Sequence, residues 1–544
     1  MSASDPIYLD YAASTPLAPE VAQAMAAALQ PGRAANPGSP HRYGAEAAAA
    51  LERARAQVAA LIGAESRAIH FTGSATEANN LALIGGARAC RRPGEPPGHL
   101  IASSIDHSSI REPLAALARE GWAVTLLTPD GEGRILPAAL RAALRADTAL
   151  VALTHVNNEL GVLQPLQALG SICRERGIRV HLDAAQAAAR CPIEVRELPV
   201  DSLSLSAHKL YGPSGIGALW LRRRPRARVL PLTYGGGQEG GVRPGTPAVH
   251  QAIGFGTAAR LARARLQTDA AAADALHALL RRELRRVGGL RWNGRDGPAV
   301  PGIVSLTVAG VDGEALVAAL APRLALSRGA ACAASSGEPS PVLRALGHDD
   351  AAAAATLRLS FGRYSTPAQL RQAAALLRRA ITRLRAAAPE PIPAVAESIE
   401  GATRAGAASP VSPEAGPSGA PRRLPVEVGS WPAGPGVATG SGGAGQVRVQ
   451  LQLRWVHDRL VATRYRVLGP PALARLAAHA LGTLGPAASV DSGALGWAEA
   501  LRLPAETRGL ALVVEDALHA ALAELEAHAR RHGNAGKRDA APLS

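Results

Sequence analysis

Lysine is almost absent. The 544-residue chain carries 59 lysines and arginines together, and only Lys209 and Lys537 are lysine. A chain that uses arginine nearly everywhere for positive charge keeps an amine at Lys209 for something a guanidinium does not do. An amine can lose its proton and attack a carbonyl carbon. Aromatic residues make up 3% of the chain, so the core must be aliphatic, with alanine supplying much of it. The four cysteines are Cys90, Cys173, Cys191 and Cys332. They form no CxxC pair and no ligand spacing, which excludes a thiolate zinc site of the usual kind, and no metal ligand is assigned. No uninterrupted apolar run reaches the roughly 18 residues that a membrane span needs. The opening MSASDPIYLD has no basic stretch before an apolar core, so no secretory signal is expected. Free thiols in a reducing cytoplasm are the expected setting.

The formal charge is +15. Asp and Glu are interspersed among the arginines, and no basic run is interleaved with aromatics. The densest basic cluster, LRRRPRAR over Leu221–Arg228, follows a predicted strand. The excess therefore reads as a solvated arginine surface, and neither nucleic acid nor membrane is expected as a partner.

What is present is a rhythm. Apolar runs at 68–71, 99–103, 123–127, 149–154, 179–182, 202–206 and 217–221 alternate with helical stretches. That alternation predicts an α/β fold with a large, mostly parallel sheet and crossover helices. Sites in such sheets lie beyond the carboxyl ends of the strands. Thr76, His107, Asn158, Asp183 and Lys209 fall there. Beyond about residue 260 the spacing predicts a helix over 252–287, a strand over 302–308, a helix over 313–320, a flexible segment over 326–341, a strand over 356–360 and a closing helix over 367–386. These form a small α+β part. The expected layout is one domain over 1–387, with a large part at about 18–260 and a small part from 1–17 and 261–387. Residues 388–445, rich in Pro, Gly, Ala and Ser, are expected to be a disordered linker. Two alternating strands, VRVQLQLRWV and RLVATRYRVL, then open a small α/β domain over 446–531, with helices over 471–481 and 514–531, before a frayed tail over 532–544.

Lys209 sits in DSLSLSAHKLYGPSGIG. Ser206 and His208 are polar donors beside it, placed for a phosphate, and Gly212, Gly215 and Gly217 allow a close turn. An amine with phosphate ligands around it points to the commonest aldehyde cofactor, pyridoxal 5'-phosphate. Asp183 closes a predicted strand in HLDAAQ. A carboxylate there can hold a pyridinium nitrogen protonated; the plainer role is a helix cap. In Gly73–Glu77, GSATE, a strand enters a helix, and its amides and the Thr76 hydroxyl can hold a phosphate or merely cap the helix. His107 is either a site residue or a satisfied structural histidine. Asn36 lies in a Gly/Pro/Asn loop, QPGRAANPGSPHRYG, of the kind that reaches sites. Cys332 lies among Gly, Ala and Ser in LSRGAACAASSGEPSPVLRALG. It reads as an exposed nucleophilic thiol, unlike Cys173 in SICRER, which reads as structural.

Several stretches, in order, resemble the cysteine desulfurases, fold-type I pyridoxal-phosphate enzymes of the class V aminotransferase group. They are YLDYAASTPL, FTGSATEANNLAL, THVNNELGVLQPL, HLDAAQAAA, SLSAHKLYGPSGIGALWLRR and GGGQEGGVRPGTPAVHQ. The resemblance covers residues 7 to about 385. It implies Lys209 as the cofactor lysine and Cys332 as the persulfide cysteine, with His107 stacking on the ring and moving protons. It also implies Ala75, Thr76, Asn158, Asp183, Gln186, Ser206 and His208 as cofactor ligands, Thr246 as a phosphate ligand lent to a neighbouring subunit of a homodimer, and Arg358 with Asn36 at the substrate. L-cysteine is the implied substrate and a sulfur-acceptor protein the implied partner. The family's usual Ser-Gly-Ala-Thr is Gly73-Ser74-Ala75-Thr76 here, and Arg328 stands where small residues are commoner. Rival readings are a selenocysteine lyase, another class V enzyme, or a docking platform for iron–sulfur assembly. Residues 447–531 resemble the U-type iron–sulfur scaffold, but the chain has no cysteine after Cys332, so the resemblance implies a scaffold-like domain without its metal site.

Overall fold

The computed structural model describes residues 5–30, 35–91, 94–327 and 340–387, and strand backbone within 426–468. The chain divides into two units, Met1–Val395 and Ala396–Ser544.

The first unit is built on a seven-stranded sheet. Its strands are β2 (Ile69–Thr72), β3 (His99–Ser103), β4 (Ala123–Leu127), β5 (Thr148–Thr154), β6 (Arg179–Asp183), β7 (Ser202–Ser206) and β8 (Gly217–Leu221), after a short β1 (Ile7–Tyr8) outside this sheet. The spatial order is β2-β8-β7-β6-β5-β3-β4. Only β8 runs against its neighbours, pairing antiparallel with β2 and β7. This is the mostly parallel sheet that the apolar rhythm predicts. Helices cover both faces, so the strands read as nearly unbroken apolar runs. The exception is β7, SLSLS, which alternates although every residue in it is buried. Leu203 and Leu205 join the main core. The serines face the other way, and Ser202 Oγ lies 2.9 Å from His181 Nδ1. The sheet thus carries a polar layer on the side that leads to the site.

Two cores share one helix. Val249–Leu284 runs 36 residues, about 54 Å at the usual rise. Its first half buries Ala252, Phe255 and Ala259 in the main core. Its second half buries Leu276, Leu279 and Leu284 in the small one. The small part is a three-stranded antiparallel sheet of β9 (Leu290–Asn293), β10 (Ile303–Val308) and β12 (Thr356–Ser360), ordered β12-β10-β9. The sequence rhythm missed β9 and the two-residue β11 (Leu324–Ala325), because both are too short to show a period. β11 pairs in parallel with β1. The N-terminal arm therefore passes from the small core, where Leu9 is buried, to the large one, where Tyr11 and Ala12 are.

In the second unit, β13 (Val426–Val428), β14 (Val437–Ala444), β15 (Val447–Val456) and β16 (Arg459–Leu468) form a sheet ordered β13-β16-β15-β14. The two alternating segments are β15 and β16, as read. The linker expectation needs correction, because β13 and β14 lie inside 388–445. The backbone of VATGSGGA pairs antiparallel with β15 from Val447 to Arg454, and a ladder asks for backbone groups rather than apolar side chains. The expected helices at 471–481 and 514–531 and the tail lie outside the described residues.

Phe255 is fully buried, packs against Phe71 with ring centroids 6.2 Å apart, and sits where the shared helix meets the large sheet. Phe255→Ala is expected to destabilise the first unit by about 3–5 kcal/mol, read as a fall in its urea midpoint; an unchanged midpoint would show that the shared helix does not set the stability of this core.

Candidate active site

Five strand ends deliver the side chains. β2 runs through Gly73 into the helix Ala75–Asn80. Ser74 caps that helix, accepting from Glu77 N at 3.1 Å, while Glu77 Oε2 accepts from Gly73 N at 2.6 Å. This reciprocal capping explains the Gly-Ser order: the serine is the cap, and the turn stays defined. Glu77 Oε1 also accepts from Arg243 Nε at 2.8 Å, tying the turn to the glycine-rich loop before Thr246. A Cβ on Gly217, in β8, would come within 2.4 Å of the Ser74 carbonyl carbon, so glycine is needed there for the sheet to approach the turn. β3 leads to His107, which caps the helix Ser108–Arg119. β5 leads to Asn158, β6 ends on Asp183, and β7 ends on Ser206 before the turn Ala207–Lys209.

These ends enclose a cavity of about 270 Å³. Lys209 and Asp183 both line it. Ala75 and Thr76 line it at the helix start, with Ser206 and His208 from the lysine turn. His107, Asn158, Gln186 and Arg358 line it as well. Lys209 Nζ donates to Ala12 O at 2.5 Å and to Ala13 O at 2.7 Å, so the N-terminal arm holds the amine. Burial, and then the Lys209 charge, push His208 down to about 4, leaving a neutral imidazole whose Nδ1 lies 3.2 Å from Ser14 Oγ. Asp183 is 6% exposed. Its Oδ1 accepts from Ala185 N at 2.9 Å and its Oδ2 from Asn79 Nδ2 at 2.8 Å. Gln186 Nε2 donates to Ala12 O at 2.8 Å, while its buried Oε1 has no hydrogen-bond partner among the described residues.

Arg358, 2% exposed, reaches the cavity from β12. Its Nη2 donates to Asp10 Oδ1 at 2.8 Å and to Ser327 Oγ at 3.2 Å, and its Nη1 to Asn158 O at 3.2 Å. Its buried Nε has no partner among the described residues. Such a desolvated fork, held from behind by a carboxylate, suits a second carboxylate in front.

Not every assigned residue meets here. Thr246 and Asn36 line another cavity, of about 650 Å³, with Arg53 and Val249. For Thr246 this accords with a residue expected to serve a neighbouring chain. Asn36, read as a substrate-binding residue, has its Oδ1 engaged by Gly38 N at 2.9 Å, which folds the loop back on itself. Cys332 and Arg328 lie outside the described residues. Sequence reading missed Asn79, Ser109 and Asp10. The signal for Asn79 was an Asn-Asn pair inside a helical stretch, where asparagine is a poor helix former.

The donor set fits pyridoxal phosphate. It offers an amine, a buried carboxylate at the far wall, a capped helix start with hydroxyls for a phosphate, and an unpartnered Gln186 oxygen and Arg358 nitrogen left for polar atoms to meet.

The class-V aminotransferase family profile matches residues 7–372. The cysteine desulfurase IscS of Vibrio campbellii is 45% identical over 386 residues, spanning 71% of this chain and 95% of that protein. The cysteine desulfurase IscS of Ectopseudomonas mendocina is 44% identical over the same span. Among solved structures, DndA from Streptomyces lividans has 37% identity and a TM-score of 0.56, covering 65% of this chain and 99% of that one. SspA in complex with cysteine has 35% identity and a TM-score of 0.59, covering 66% and 99%. With the strand-end cavity, its lysine and its buried aspartate, these matches show that the chain belongs to the class-V aminotransferase family.

Proposed function

We propose that this chain is a pyridoxal-phosphate-dependent cysteine desulfurase that converts L-cysteine to L-alanine and holds the sulfur as a persulfide on Cys332. The observation that carries the reading is the convergence of Lys209, Asp183 and Arg358 on one cavity at the strand ends. The cysteine desulfurase relatives support the choice of substrate. When bound, the cofactor supplies the electron sink that makes an amino-acid α-proton removable. Ala75, Thr76, Ser206 and His208 would hold its phosphate, Lys209 its aldehyde carbon and Asp183 its ring nitrogen. Asp183 keeps a proton on that nitrogen. Arg358 binds and orients the substrate carboxylate. Lys209 Nζ, positioned beside the Ala12 and Ala13 carbonyls, takes the α-proton as its neutral amine. The Cys332 thiolate then attacks the substrate sulfur: a new S–S bond forms, the carbon–sulfur bond breaks, and its electron pair stays with the carbon skeleton, which takes up protons to become alanine.

The persulfide serves a sulfur-acceptor protein in iron–sulfur or thio-cofactor assembly. The working unit is a homodimer, supported by the placement of Thr246 and Asn36 away from the Lys209 cavity of their own chain. The second unit, cysteine-free, is a scaffold-like domain that makes no thiolate site of its own. The setting is the cytoplasm; among the described residues no helix is long and apolar enough to cross a membrane.

Purified protein given L-cysteine and a thiol reductant should release sulfide and alanine in equal amounts. Cys332→Ala should abolish sulfide yet keep the visible absorbance of bound cofactor, whereas Lys209→Ala should lose both; wild-type protein that binds cofactor but makes no sulfide would overturn the assignment. Arg358→Lys should cut kcat/KM for L-cysteine by roughly 10- to 100-fold, mostly through KM, since a point charge replaces a fork; an unchanged KM would remove Arg358 from the substrate site. Sedimentation should give a dimer mass, and a monomer with full activity would refute the loan of Thr246.

A further inference from the structure

One amide joins two groups that line the cavity. Asn79 is fully buried, one turn into the helix behind the Gly73–Ala75 turn. Its Nδ2 donates to Asp183 Oδ2 at 2.8 Å and to Ser109 Oγ at 2.8 Å. Its Oδ1 lies 2.9 Å from His181 Nε2. The amide cannot be turned round, because Oδ1 would then face Asp183 Oδ2, acceptor against acceptor. His181 must therefore donate from Nε2 to Asn79, and its Nδ1 accepts from Ser202 Oγ at 2.9 Å. Burial pushes His181 down to about 4, in keeping with this neutral, fully bonded imidazole.

The other branch fixes a second imidazole. Ser109 Oγ accepts from Asn79 and lies 2.8 Å from His107 Nδ1. The Ser109 backbone N–H donates to the same Nδ1 at 3.1 Å. A backbone N–H can only donate. That donor requires Nδ1 to be unprotonated, so the Ser109 hydroxyl turns its hydrogen to the same nitrogen, and a neutral His107 carries its proton on Nε2. His107 lines the cavity with Nδ1 committed to the start of its own helix.

We propose that Asn79 is a positioning residue that ties Asp183 to His107 through Ser109, whose backbone N–H holds His107 as the Nε2–H tautomer. His107 then offers the cavity a hydrogen-bond donor rather than a base. The acceptor it fits is the sulfur of bound L-cysteine, which an N–H at that position would polarise for attack by Cys332. The kinetic consequence rests on the desulfurase reading; the tautomer does not.

The test has two arms. In the first, 15N-histidine NMR is recorded on cofactor-free and cofactor-loaded protein, with His107 assigned by His107→Gln. The expected spectrum shows His107 with Nδ1 unprotonated and the proton on Nε2 in both forms; a protonated Nδ1 overturns the proposal. In the second, sulfide release is measured for Asn79→Ala, Ser109→Ala and the double variant. Each single change should lower kcat about 10-fold or more, as expected for losing a hydrogen bond to a charged or reacting group, with KM for L-cysteine within about twofold. The double variant should be no slower than the slower single one, because both cut the same link. Multiplicative losses, or a Ser109→Ala enzyme with unchanged kcat, would sink it. If Asn79→Ala does not fold, Ser109→Ala and the wild-type spectrum still decide. A protein with the expected tautomer that takes up no pyridoxal phosphate would refute the desulfurase reading and leave the link from Asn79 to His107 standing.

Discussion

A carboxylate that is 6% exposed is the constraint on which the rest of the site depends. Burying an acid without hydrogen bonds costs several kcal/mol, and its neighbours must be donors. Asp183 obtains two, one from the backbone of Ala185 and one from Asn79. The second of these propagates. Because Asn79 must present its nitrogen to Asp183, its oxygen must face His181, and His181 must in turn accept from a hydroxyl. That requirement reaches β7 and accounts for Ser202 in a strand that alternates serine with leucine. The SLSLS pattern, which by alternation alone would suggest a half-solvated strand, is instead a fully buried strand with one polar face.

The site also needs two cores to be held in register. Its lysine comes from the large sheet and its arginine from the small one. Three devices connect them. The long helix Val249–Leu284 is continuous through both cores. The N-terminal arm crosses from one to the other, and on the way its Ala12 and Ala13 carbonyls accept from Lys209 while Asp10 accepts from Arg358. Asn158, beyond β5, gives its carbonyl to the same arginine. Arm, sheet and small part therefore meet at Arg358, and a shift of either core would be felt at the substrate position.

Much of this was legible in the sequence, for identifiable reasons. The seven strands announce themselves because both faces of a parallel sheet are buried, leaving short apolar runs that stand out from an alanine-rich background. Lys209 announces itself by being a lysine in an arginine-rich chain, and Asp183 and His107 by following strands. What was illegible depends on distance in space. Asn79 and Asp183 are 104 residues apart, and nothing in either segment says that they touch. Asp10 and Arg358 are 348 apart. The strand β14 was hidden because its glycines and serines carry no apolar signal; its pairing is made by the backbone. That Asn36 lines a cavity apart from Lys209 was equally hidden, because the composition of a loop does not say where it points.

The composition bias bears on the chemistry as well. Guanidinium groups stay charged, so each buried one requires an anion or several acceptors: Arg358 takes Asp10, Arg363 takes Asp269, and Arg55 takes Glu239. These pairs are structural, since they leave little freedom to give the charge up. Lys209 is treated differently. The backbone gives its amine two neutral carbonyls from a crossing arm. Carbonyls position an ammonium without the Coulombic hold of a bonded carboxylate, and they remain in place when the proton leaves. The neighbouring His208 is neutral by burial and adds no charge of its own. An amine that must alternate between bond-forming and proton-carrying states needs a fixed position in both, and the backbone oxygens of the crossing arm give the one described lysine partners that no side-chain titration removes.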